Sequence, residues 1–115
     1  MTAETGKKPI HVVTDAQLEE LRQTHPDCDR LELTIRGRLL QVVVAPPNRA
    51  QYQRFNKTAQ DEKKRQYAVE NLAVDCIVSP NSEAFAMLLE QYPAITAPIG
   101  SWIIEAGGGV DVEAK

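Results

Sequence analysis

No stretch of this 115-residue chain approaches the roughly 20 consecutive apolar residues that a membrane span requires, and its opening Met1–Lys8 is polar, with no apolar run of the kind that directs secretion. A cytoplasmic protein, without a membrane partner, is expected. Cysteine is scarce: Cys28 and Cys76 are far apart and sit in no CxxC or metal-like spacing, which argues against a disulfide framework or a zinc site. Positive charge is short as well, with 13 Lys and Arg against 16 Asp and Glu and a net charge of -3. No global field exists to attract phosphate backbones, so nucleic acid is not an expected partner. Aromatic residues make up 5%, with a single tryptophan, so each large ring is a candidate for a special role.

What is present suits one ordinary domain. Hydrophobic residues are 43% and charged residues 25%, which places the chain among globular proteins and away from disordered ones. A flexible leader is expected over 1–9, a single domain over 10–109 and a flexible tail over 110–115. Ile10–Val13 is a short apolar run, a candidate extra strand. Thr14 followed by Gln17 forms a capping-box pair, with Val13 and Leu18 in the positions of a hydrophobic staple, so a helix starts there and Pro26 ends it. His25–Arg30 reads as a loop. From Leu31 the period changes to two: Leu31, Leu33 and Ile35 alternate with polar residues, Gly37 supplies a tight turn, and Arg38–Ala45 returns as a second strand. Leu39 and Val43 are apolar on its other side, which predicts partial cover on both faces. Pro46 and Pro47 end it.

The remainder reads as helical. Asn48 with Gln51 caps a helix that aligns Tyr52, Phe55 and Ala59. Ala68, Val69, Leu72, Ala73, Cys76 and Ile77 predict a core helix from about Asp61 to Val78. Phe85, Leu88, Leu89 and Tyr92 define another, stopped by Pro93. Thr96 is the expected cap of a last helix carrying Ile99, Trp102, Ile103 and Ala106, with Gly107 as a left-handed stop. The fold class is therefore α+β: a small β-hairpin, with a candidate short extra strand, packed with a mainly helical carboxyl-terminal part of about four helices.

Catalytic chemistry finds little to build on. His11 and His25 lack partner motifs, and Asp75 and Cys76 are helix neighbours that point about 100° apart. Cys76 lies on the apolar stripe, whereas Cys28 is expected in a loop as an exposed, unactivated thiol. Glu19 with Glu20, and Glu83 with Glu90, fall on polar helix faces. Gly107–Gly109 follows a helix, while phosphate cradles precede one. No catalytic residue, cofactor or metal is expected. Lys63, Lys64 and Arg65, near Arg49 and Arg54, form a basic cluster at an expected helix start, which leaves room for an acidic protein partner.

The segment P-N-R-A-Q-Y-Q-R-F at Pro47–Phe55, the helix end V-D-C-I-V-S-P at Val74–Pro80, L-L-E-Q-Y-P at Leu88–Pro93, and Ile99, Gly100 and the closing helix up to Gly107 follow one another in a distinctive order. From about Gln17 to Gly108 the chain resembles the small tail assembly chaperones of tailed bacteriophages and their prophage relatives. The resemblance implies a non-enzymatic protein in the host cytoplasm that binds the long tape measure protein, helps the tail tube protein polymerise around it, and self-associates. It also implies a longer frameshifted product, for which a slippery run of guanines could encode Gly107–Gly109. Arg49, Tyr52, Arg54, Phe55, Tyr92 and Trp102 are the protein-binding candidates, with a plain core role as the alternative for Trp102. The competing expectations are a structural tail or neck protein that stays in the virion, and a helix-turn-helix regulator. The second is disfavoured because Ala97–Ala106 carries no Arg or Lys.

Overall fold

The structure is a computed structural model and describes residues 8–107. The tail expected over 110–115, most of the leader expected over 1–9, and Gly108 and Gly109 lie outside the described residues. At the end of the leader the Lys8 carbonyl accepts from Arg38 Nε at 3.0 Å, and Ile10, the first residue of the expected domain, donates its N–H to the Leu39 carbonyl at 2.7 Å.

Helix α1, Asp15–Arg22, begins with the expected capping box, in which Thr14 Oγ1 accepts from Gln17 N–H and Gln17 Oε1 accepts from Thr14 N–H. Val13 and Leu18 are both buried, as the staple requires. The helix ends by Gln23, three residues ahead of Pro26, because the Leu21 carbonyl closes a turn by accepting from the N–H groups of Thr24 and His25. Pro26 is thus not the stop. The next strand also starts earlier than Leu31, at Asp29.

Strands β1, Asp29–Ile35, and β2, Arg38–Val44, form an antiparallel hairpin paired from Asp29↔Val44 to Ile35↔Arg38. Its two-residue turn puts both Arg36 and Gly37 at positive φ, 52° and 80°, the primed geometry that matches strand twist. β2 is the centre of a three-stranded sheet ordered β1-β2-β3. Leu40, Val42 and Val44 face the main core, and Val43 faces a second cluster with Val13, Leu18 and Cys28. The expected two-sided cover of β2 is therefore present.

α2, Arg49–Gln60, opens with the Asn48–Gln51 capping box. The helix expected from Asp61 to Val78 is replaced by three structures. Asp61 Oδ1 accepts from Lys63 N–H, which turns the chain; a 3-10 turn follows over Arg65–Tyr67; and α3 runs only over Ala68–Cys76. Lys63 and Lys64 thus lie in a turn, and Arg65 opens the 3-10 segment that leads into α3. The β-branched Ile77 and Val78 leave the helix and form β3, Ile77–Ser79, on β2, where the ladder is worth more than another helical turn. Ser79 precedes Pro80, which also favours extended backbone. The extra strand expected at Ile10–Val13 amounts to one parallel bridge, His11↔Leu40.

α4, Ser82–Gln91, is capped by the Asn81 side chain. α5, Thr96–Ala106, grows out of a 3-10 turn over Pro93–Ile95, so Thr96 is already helical and caps nothing. Ala106 is exposed. Gly107 has φ -79°, not a left-handed value, and what demands glycine is space: a Cβ there would lie 2.8 Å from Pro47 Cγ. At Gly100 a Cβ would lie 2.2 Å from Val69 Cγ1, so α3 and α5 touch where α5 has no side chain. Phe85, Leu72, Ile99 and Ile103 complete the core against the sheet.

Candidate functional site

The six residues proposed from sequence fall in three places. Four are on α2. This helix is amphipathic but contains no fully buried residue; Tyr52 and Phe55 are half-buried and face one another with centroids 5.6 Å apart. Three basic side chains, Arg49, Arg54 and Lys57, share the helix with no Asp or Glu. Arg54 Nη1 reaches Asp75 Oδ2 of α3 at 3.6 Å, a loose and largely exposed ion pair worth well under about 1 kcal/mol. Gln51 fixes the helix more firmly. Its Oε1 accepts from Asn48 N–H at 2.9 Å while its Nε2 donates to the Asp75 carbonyl at 3.0 Å, so the same side chain caps α2 and ties it to the end of α3. Between the two helices a cavity of about 50 Å³ is lined by Gln51, Arg54, Phe55, Thr58, Leu72 and Asp75, too small for more than water.

Tyr92 stands elsewhere, at the end of α4. It is half-buried against the core, and its hydroxyl accepts from Arg38 Nη1 at 3.3 Å beside the hairpin turn. Trp102, on α5, is also half-buried against the core; with Pro98 and Ile99 it forms one wall of a groove of about 320 Å³ whose other wall is Arg30–Leu33 of β1. The ring of Trp102 both packs on the core and lines the groove. The groove was not legible in the sequence, because nothing local in Asp29–Ile35 says that β1 will end the sheet.

Groups with catalytic potential are held in quiet settings. Cys28 is buried, 2% exposed, and not the exposed loop thiol expected: α1 and the hairpin close over it, and burial raises its pKa. Cys76 is buried as expected, and loss of solvation, with the neighbouring Asp75 charge, pushes its pKa up to about 11. His11 Nε2 lies 3.4 Å from Ser79 Oγ, and burial lowers its pKa. Among the described residues, no group of three or more His, Cys, Asp or Glu is arranged to hold a metal ion, and no helix is long and apolar enough to cross a membrane.

These features describe a small α+β domain in which a hairpin sheet is backed by helices and one helix lies on the outside. The chain belongs to the family described as "Domain of unknown function (DUF6848)", whose model matches residues 36–114. Its fold is similar to that of a solved structure described as the uncharacterised protein rbstp2171 from Bacillus stearothermophilus, with a TM-score of 0.68 over 85% of this chain and 98% of that one. At 22% identity the likeness concerns the fold alone. No curated protein matches the chain.

Proposed function

We propose that the chain is a non-enzymatic tail assembly chaperone of a bacteriophage or prophage, which shields an amphipathic helical segment of the tape measure protein on its α2 face. The observation that carries the reading is α2 itself: a helix with an aromatic pair, three basic residues and no acidic one, none of its residues fully buried, on a chain whose net charge is -3. Tyr52 and Phe55 supply a half-buried apolar seat, and the exposed Arg49, Arg54 and Lys57 carry positive charge over the rest of the helix surface. A matching segment is a helix with an apolar stripe and acidic flanks, laid along α2 in the helix-against-groove manner. The charges would set orientation and association rate, and the aromatic seat most of the affinity. The order of motifs from Pro47 to Gly107, which resembles that family, supports the same reading.

Coexpression with the cognate tape measure protein is the test. The expected outcome is soluble tape measure protein that co-purifies with the wild-type chain, and at least about tenfold less captured by Arg49→Glu/Lys57→Glu, in which the guiding charges are reversed. Failure of the wild-type chain either to solubilise or to co-purify with it would sink the proposal.

A further inference from the structure

β1 ends the sheet, and only its inner edge is covered by β2. The two-residue turn makes Ile35 and Arg38 the closing hydrogen-bonded pair. Because antiparallel strands alternate, Leu33, Leu31 and Asp29 direct their backbone groups to β2, whereas Thr34, Glu32 and Arg30 direct theirs outward. Among the described residues no backbone hydrogen bond reaches that outer edge. Three of the devices that protect an edge are missing: β1 is seven residues long and not short, contains no proline, and pairs with β2 without a bulge, so its protection rests on the charges of Asp29, Arg30 and Glu32. Alongside runs the groove walled by Pro98, Ile99 and Trp102, so unmet hydrogen-bonding groups and an apolar surface lie together.

We propose that a second copy of this chain occupies this edge, with the two β1 strands antiparallel across a two-fold axis, so that the three-stranded sheet continues through both copies. Such a contact is self-complementary, as a closed dimer requires. Charge selects its register. Centred on Glu32, the pairing sets Glu32 directly against Glu32 of the second copy. Like charges facing each other across strands are destabilising. Centred on Leu33, the pairing sets Glu32 against Thr34 and leaves Arg30 opposite the hairpin turn of the second copy, so no opposite charges face each other. Centred on Leu31, it sets Arg30 against Glu32 of the second copy, twice by symmetry, and each of these pairs exchanges two backbone hydrogen bonds. Leu31 then meets its own mate on the opposite face, beside the two Trp102 grooves.

The side chains are already set for that arrangement. Arg30 Nη1 donates to the Val13 carbonyl at 2.8 Å and its Nη2 lies 2.8 Å from Asp15 Oδ1. Glu32 Oε1 accepts from Gln41 Nε2 at 2.9 Å. Both are held on the sheet face away from Trp102, where Arg30 and Glu32 of two copies come side by side. This surface is separate from α2, so the dimer stands or falls independently of the α2 proposal.

Sedimentation equilibrium over a concentration series reads the association, and amide exchange on the wild-type chain reads the edge. A dimer is expected, with the amides of Arg30 and Glu32 exchanging more slowly as concentration rises. Glu32→Arg, which places Arg30 against an arginine, should weaken dimerisation at least about tenfold. Glu32→Pro, which removes an outward N–H while leaving the β1–β2 ladder its bonds, should weaken it similarly. Thermal melts identify a variant that has merely unfolded, and the wild-type exchange data decide the matter without either variant. A wild-type chain that is monomeric at about 1 mM overturns the proposal. So does a dimer that both folded variants leave intact, or edge amides whose protection does not change with concentration.

Discussion

Helices α2 and α5 are nearly equal in length, 12 and 11 residues, yet they are attached to the molecule in opposite ways. α5 buries Ile99, Gly100 and Ile103, lies directly against α3 at Gly100, and carries no side-chain cap. α2 buries no residue completely and holds its place through a capping box, Gln51, a loose ion pair and the edge of Phe55. Packing can make a helix with poor end signals, and end signals can hold a helix with little packing. The second kind leaves more of its surface exposed.

The comparison can be broken or sharpened by substitution, and the largest effect should come from the packed body. Phe85→Ala removes the largest fully buried side chain and should cost about 3–5 kcal/mol in chemical denaturation. A cost below about 1 kcal/mol would mean that the body is not the stabilising half. Alkaline pH should act next. The Cys76 thiol is raised from 9.0 to about 11 by burial, so the folded state favours the protonated form. Its contribution is complete below pH 9 and is lost as pH rises from 9 towards 11, a decline of up to about 3 kcal/mol that Cys76→Ala should abolish. Gly100→Ala should cost about 1–3 kcal/mol by forcing Val69 aside, and Val69→Ala in the same chain should recover part of that loss. The smallest effect belongs to α2: Asn48→Ala should cost about 1 kcal/mol, with loss of helical signal confined to Arg49–Gln60 in residue-resolved exchange. Global unfolding by that change would erase the distinction between the two helices.

The same contrast explains what could be read from the sequence. The caps at Thr14 and Asn48 were legible because donor, acceptor and spacing lie within four residues. The alternation in Leu31–Ile35 gave the hairpin for the same reason. The helix assigned to Asp61–Val78 failed at both ends through choices made elsewhere: Asp61 capped a turn, and Ile77–Ser79 was claimed by the edge of β2. Thr96 has the chemistry of a cap, but the turn begun at Pro93 had already started the helix. Cys28 looked like a loop thiol because the residues that cover it, Val13, Leu18 and Val43, are distant in sequence. The candidate site shared this fate. Each of its aromatics stands out locally, but their distribution over α2, the end of α4 and the α5 groove is a property of the assembled fold.

Gln51 has a consequence for how α2 is fastened. Its oxygen accepts at the start of its own helix, a bond local enough to form without α3, while its nitrogen donates to the Asp75 carbonyl at the far end of α3. One amide thus joins a local signal to a tertiary contact. Loss of the α3 contact alone would leave the first turn capped, so this helix can loosen from the body without unwinding from its start.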